Sequence, residues 1–237
     1  MDNKKLGIIG GMGPKATSVF FERIIENTAA ERDQDHIDIL ILNHATLPDR
    51  TEVILEERHE WFLNAVANDL KLLEQAGVAN IAIPCNTSHY FYEDMQQMTS
   101  VNIINMVDET VQELHRRYGD GSKIALLATN GTISSGIYHD SCEKYGMKLY
   151  EPAPSLQNKV MDIIYNDVKG QNNVDPGKLE ALIHQLVYEE HCHCVILACT
   201  ELSCIELSAF YKECSIDAME VLVNRSITLS GKKLATK

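Results

Sequence analysis

The stretch KLGIIGGMGP, residues 5–14, decides how this chain is read. Residues 5–9 form an apolar run of the right length for one buried strand. Gly10, Gly11 and Gly13 mark a tight turn, and Pro14 suits the first position of a helix, where its missing N–H costs nothing. A strand that feeds a helix through such a turn is one β–α unit, and such units build parallel sheets covered by helices. The pattern continues outward. Residues 16–30 have helical spacing, 36–42 form a second apolar strand, and 43–51 are polar. A long amphipathic helix over 52–75 is closed by Gly77. Residues 78–83 read as a strand, 86–98 as a helix and 101–104 as a short strand.

A second series has the same rhythm. Helices are expected over 107–118, 134–145, 156–168, 178–191, 201–210 and 218–229. Strands are expected over 123–128, 147–150, 194–198 and 215–217, and the basic tail 231–237 is expected to fray. The fold class is therefore α/β, with parallel sheets covered by helices on both faces. The halves echo one another. GIIGGMG precedes PCNT by roughly 75 residues, and ALLATNG precedes LACT by a similar distance. Each half offers one small-residue turn after a strand, and one cysteine at a strand end with a threonine within two positions. Two similar units facing each other, each contributing a cysteine, are expected.

Composition narrows the partners. The chain has 237 residues and a formal net charge of -13, which argues against nucleic acid and against anionic membranes as partners. No apolar run approaches the roughly 20 residues that span a bilayer. The N-terminus reaches its glycine turn too soon for a signal peptide, so a cytoplasmic protein is expected. Seven cysteines without a secretion signal argue against a disulfide framework. An acidic substrate would need a few placed cations to overcome the global field, which salt makes feasible over about 10 Å.

The candidate chemistry lies in IAIPCNTSHY, residues 81–90, and in LACTEL, residues 197–202. Cys85 and Cys199 close predicted parallel strands, where ligands of such sheets bind. Asn86-Thr87 and Thr200-Glu201 open helices whose N-termini favour a thiolate. Either cysteine alone reads as core packing; the matched pair favours chemistry. Two opposed thiols suit one reaction: one takes a proton from a carbon, the other returns one to the opposite face, and the carbon inverts. No cofactor is required in principle, and no phosphate cup with a lysine suggests pyridoxal phosphate.

Other motifs carry less. Residues 11–16 fit G-x-G-x-x-A, but Asn43-His44 stands where a ribose-binding acid should close the second strand. Binding of a small carboxylate at the helix N-terminus is the better reading. His191-Cys192-His193-Cys194 alternates along an incoming strand, so its members cannot converge on one ion, and no metal is expected. Arg50 in LPDRT offers a guanidinium fork for a carboxylate, against a plain surface arginine. Lys169 ends a helix and Tyr165 shares its face, with dipole pairing and packing as the plainer readings. His89 reads as structural, and Cys142, Cys204 and Cys214 as structural or incidental.

Taken together, GIIGGMGP, LPDRT, PCNTSH, LATNGTISSGIY, LACTEL and IDAMEVL resemble the aspartate/glutamate racemase family, most closely its aspartate racemases, over nearly the whole chain. Ala218 stands where proline is more usual. The resemblance implies two Rossmann-like domains related by pseudo-twofold symmetry, with the active site between them. It implies a first domain of residues 1–104 plus 211–237, including a returning C-terminal helix, and a second of 105–210. It implies a cofactor-free two-base mechanism with Cys85 and Cys199 catalytic, Cys199 facing the L-enantiomer and Cys85 the D-enantiomer. Asn86, Thr87, Thr129 and Thr200 are implied to hold the α-carboxylate and polar groups. Arg50 and Lys169, with Tyr165 beside them, are implied to hold the distal carboxylate, and Met12 to line the pocket. The implied partners are a small dicarboxylic amino acid and a second copy in a homodimer. Relatives of this topology include decarboxylases, hydantoin racemases and maleate isomerases, so fold alone does not fix the reaction. A non-catalytic amino-acid binding protein is the alternative outside enzymology.

Overall fold

The computed structural model describes residues 4–171 and 174–236. Lys237, the end of the tail, and the first three residues lie outside them. Two four-stranded sheets form the framework. The first holds β1 (Leu6–Gly10), β2 (Ile39–Asn43), β3 (Asn80–Ala82) and β4 (Asn102–Ile103) in the order β2-β1-β3-β4. The second holds β5 (Lys123–Ala128), β6 (Lys148–Tyr150), β7 (Cys194–Ala198) and β8 (Ser215–Asp217) in the order β6-β5-β7-β8. Each order is the other shifted by four, and every pairing is parallel. The chain thus builds one design twice, as the sequence echo implied. β1 and β7 are buried at every position, as central strands covered on both faces must be.

The helices are α1 (Pro14–Asn27), α2 (Arg50–Leu55), α3 (His59–Gln75), α4 (Tyr92–Gln97), α5 (Met106–Tyr118), α6 (Asn130–Ser134), α7 (Ile137–Lys144), α8 (Pro154–Asp162), α9 (Pro176–His184), α10 (Ala209–Glu213) and α11 (Ala218–Leu229). One face of the first sheet packs on α1 and α11, the other on α3 and α4. The second sheet is enclosed by α5 and α7 on one face and by α8 and α9 on the other. α11 leaves β8 in the second sheet and closes the core of the first with Met219, Leu222, Val223 and Ile227, all fully buried. At about 1.5–3 kcal/mol each, these four side chains contribute about 6–12 kcal/mol, comparable to a whole domain's margin.

Several expected elements differ in detail. The single helix over 52–75 is two, α2 and α3, because Glu57 turns left-handed at φ 56°. Asp49 sets the start of α2: its Oδ1 accepts the backbone N–H of Thr51 at 2.9 Å and of Glu52 at 3.1 Å. Residues 86–98 open with a tight 3₁₀ turn, Thr87–Phe91, before α4. Residues 134–145 break at Gly136, φ 71°, between α6 and α7. The helix expected over 201–210 is only a 3₁₀ turn, Leu202–Cys204, and α10 follows separately. Ser215–Asp217, counted with the first half, pairs with β7, so the chain crosses back only after Asp217. The tail does not fray through Ala235: Thr28 bridges Leu234, and Ala235 N–H donates to Asn27 O at 2.8 Å.

Candidate active site

The two cysteine turns are built alike and tied together. β3 stops at Ala82, and Ile83-Pro84 carry the chain to Cys85, which is 5% exposed. The Cys85 carbonyl accepts Ser88 Oγ at 2.7 Å and His89 Nδ1 at 2.8 Å. His89 Nε2 accepts the Met106 N–H at 3.1 Å, which leaves the ring proton on Nδ1. The histidine thus joins the first cysteine turn to the start of α5, where the chain crosses between sheets. Cys199 follows β7 directly and is 6% exposed. Thr200 Oγ1 donates to Pro84 O at 3.2 Å, so the residue after one cysteine is bonded to the residue before the other.

Both cysteines line one cavity between the sheets. Met12, Arg50, Asn86, Thr87, Thr129, Tyr165, Lys169 and Thr200 line it too, so every candidate site residue converges there. The cavity has a volume of about 20 Å³, room for about one water. A hydroxyl cluster crosses the cleft: Thr87 Oγ1 lies 3.0 Å from Thr129 Oγ1 and 2.8 Å from Thr132 Oγ1. Thr129 also caps α6 by accepting the Thr132 N–H.

Among the described residues, two donors at this cavity, Asn86 Nδ2 and Arg50 Nε, have no acceptor. Fully buried Tyr138 donates to Asn86 Oδ1 at 2.5 Å, while Asn86 Nδ2 is buried and unpaired. Arg50 is buried rather than a surface arginine; its Nη1 donates to Pro48 O at 2.9 Å, and its Nε is unpaired. An orphaned buried donor costs about 1–3 kcal/mol, so the site has a demand for acceptors such as carboxylate oxygens. Lys169 and Tyr165 lie on a wider, π-helical segment, Ile163–Gln171, that continues α8. Such turns recur at functional sites. Here the lysine Nζ stands 4.4 Å above the tyrosine ring. Burial disfavours the Lys169 charge, but Glu201 first, then Cys199, Tyr165 and Cys85, outweigh it and hold its pKa above the ordinary value. Burial raises the Tyr165 pKa, partly offset by a bond to Thr51 and by Lys169.

Asp49, Thr51 and Glu201 also line the cavity. Glu201 is the consequential addition. It is 4% exposed, accepts the Cys199 thiol at 2.9 Å on Oε2, and stands 3.8 Å from Lys169 Nζ through Oε1. The signal for it in LACTEL was an acid in a run otherwise apolar or small. The start of α1, expected to receive a small carboxylate, has this side chain beside it: a methyl on Gly13 would sit 3.3 Å from Glu201 Oε1. The glycine turn itself is a packing necessity, since a methyl on Gly11 (φ 94°) would fall 2.4 Å from the His44 carbonyl carbon.

The remaining candidates separate from the site. Cys192 and Cys194 point inward and His191 and His193 outward. Among the described residues no group of three or more His, Cys, Asp or Glu side chains is arranged to hold a metal. A larger groove of about 1050 Å³ lies along α1, α5 and α11, but it contains neither cysteine. Several of its charges are paired, Arg23 with Asp217 at 2.6 Å and Arg116 with Glu113 at 2.7 Å. Among the described residues no helix is long and apolar enough to cross a membrane.

Residues 9–225 match the Asp/Glu/hydantoin racemase family. The chain belongs to that family. It is an isomerase, an amino-acid racemase of the aspartate/glutamate type. The broad-specificity amino-acid racemase RacX of Bacillus subtilis is 31% identical over 84% of this racemase and 86% of its own length. The aspartate racemase of Picrophilus torridus superposes with a TM-score of 0.83 at 33% identity, covering 98% of this racemase and 96% of that chain. The glutamate racemase of Francisella tularensis, solved with D-glutamate, shares the fold at a TM-score of 0.64 and 18% identity, covering 97% and 81%.

Proposed function

We propose that this racemase interconverts L- and D-aspartate, with glutamate the next substrate in order, through Cys85 and Cys199 as a two-base pair. The observation that carries this is the convergence of both thiols, Arg50 and Lys169 on one cavity. One sulfur, as thiolate, takes the α-proton; the other, as thiol, gives a proton to the opposite face of the planar carbanion. The unpaired donors of Arg50 and Asn86 suit carboxylate oxygens. Arg50 and Lys169 hold the side-chain carboxylate, with Tyr165 supporting the lysine. Asn86, Thr87, Thr129 and Thr200 hold the α-carboxylate and the charge that develops as the proton leaves, and Met12 lines the wall. These steps call on no cofactor. We assign the enzyme to the cytoplasm as a homodimer, and take residues 1–104 with the returning α11 as one body and the intervening chain as the other.

Incubation with L-aspartate in heavy water tests the reading. Loss of optical activity with deuterium entering at the α-carbon is expected. Cys85→Ala and Cys199→Ala should each stop inversion, while exchange persists on the face of the surviving thiol. No deuterium in either enantiomer of aspartate or glutamate would sink the assignment. Carbon dioxide release or turnover of maleate would point to another reaction on this fold, and tight binding without turnover to a binding protein. A broader substrate range is the second reading, favoured by the 31% identity to a broad-specificity racemase. Neutral amino acids racemised as fast as aspartate would establish it.

A further inference from the structure

The mechanism above leaves one buried polar contact without a role. Tyr138 stands in the first turn of α7, just after the left-handed break at Gly136, and its ring is fully buried in the core of the second sheet. Its hydroxyl donates to Oδ1 of Asn86, which follows β3 of the first sheet and is 2% exposed. At 2.5 Å the contact falls in the O–H···O range and below the N–H···O range, so the oxygen end of the amide faces the phenol. The opposite end, Nδ2, is buried without an acceptor, and Asn86 lines the cavity. We propose, resting on the reading that Asn86 holds the α-carboxylate, that Tyr138 is a positioning residue for that contact: its phenol fixes the amide so that the substrate meets N–H donors rather than a carbonyl oxygen.

The two ends of an asparagine amide are alike in shape and opposite in function: one accepts, the other donates. Rotated by half a turn, Asn86 would set Oδ1 against a carboxylate, and two acceptors would face each other with no hydrogen between them. Tyr138 separates the two states, because a phenol that donates needs the oxygen end. Burial holds its pKa well above the ordinary value, so the phenol keeps its hydrogen. An orphaned buried Nδ2 is costly, and a carboxylate oxygen relieves that cost. As the α-proton leaves, negative charge spreads onto the same carboxylate. A donor already aimed there needs no rearrangement at that moment, and it counts for more in the transition state than before it.

A double-mutant cycle on aspartate racemisation tests this. Tyr138→Phe removes one oxygen and keeps the ring, and kcat/KM should fall by about 10-fold. Asn86→Ala removes the donor itself and should cost about 100-fold. The double variant should stay within about threefold of Asn86→Ala, since a phenol that acts through the amide has nothing left to hold. A phenol that served packing alone would multiply the two losses, to about 1000-fold. Urea melts of the three variants separate lost alignment from lost fold. The phenol hydrogen gives a direct signature, which carries the test if Tyr138→Phe does not fold. In enzyme carrying isotope-labelled tyrosine it should exchange slowly with solvent and resonate downfield by NMR, and it should move upfield in Asn86→Ala. Tyr138→Phe within about threefold of the unaltered enzyme, losses that multiply, or a phenol resonance unmoved in Asn86→Ala would overturn the proposal. Asn86→Ala itself within about threefold of the unaltered enzyme would instead overturn the reading that Asn86 holds the α-carboxylate.

Discussion

Gly131→Ala is the sharpest probe of how the cavity is closed. Gly131 sits in α6, where alanine would ordinarily favour the helix by about 1 kcal/mol. At this position a methyl would fall 2.8 Å from both Cα and Oγ1 of Thr51. Ordinary carbon contact begins near 3.4 Å, so α2 must retreat from α6 by about 0.6 Å. Overpacking of this kind costs about 1–3 kcal/mol, so the net stability change stays within about 2 kcal/mol. Activity should suffer more. Thr51 is next to Arg50, and both line the cavity, so the guanidinium moves with the retreating helix. A misplacement of about 1 Å can cost about 100-fold, so a fall of about 10-fold or more in kcat/KM is expected. Chiral chromatography of aspartate gives the rate and a denaturant melt the stability. A variant that races on within about twofold, with its melt unchanged, would show that the α2–α6 contact does not set the position of Arg50.

Three further outcomes are expected. Arg50→Lys keeps the charge but loses the planar fork, so KM for aspartate should rise by about 10-fold or more with a smaller change in kcat; an unchanged KM in initial-rate measurements contradicts that role. Thr200→Val leaves the Pro84 carbonyl without its side-chain donor, and should cost about 1–3 kcal/mol in a urea melt together with activity, since the bond joins the two cysteine turns. Burial lowers the pKa of His89, so the folded protein keeps it neutral while the unfolded chain takes up a proton below about pH 6.5. Its contribution is complete above that pH and is lost as the pH falls, by up to about 1.4 kcal/mol per unit. His89→Gln should flatten that acid slope in urea melts, and an identical slope would count against it.

The strand ends were legible because parallel central strands must be apolar throughout and must stop at a turn: IAIPCNT and LACT could hardly be anything else. The matching of two such ends also exposed the cysteine pair, and every residue named with it lines the same cavity. What escaped notice lacked a local signal. The break between α2 and α3 falls in Glu56-Glu57-Arg58, where no glycine or proline announces a left-handed residue. The short 3₁₀ turns after each cysteine are held by bonds to distant groups, such as Thr200 to Pro84, which no periodicity encodes. The burial of Glu201 depends on Lys169, 32 positions earlier, and on Gly13 from the other sheet. Long-range pairing of this kind leaves only a charged residue in an apolar context as its trace.

The return of α11 to the first sheet has a consequence for biosynthesis. Its apolar side chains cover Leu6, Ile8 and Phe20, which leave the ribosome long before residues 218–229 exist. At roughly 5–20 residues per second, that surface waits about 10–40 s for its cover. During translation the nascent chain therefore carries a sticky strip that a chaperone, or misassembly with a neighbouring nascent chain, would claim. A message cut short before codon 218 would leave that exposure permanent.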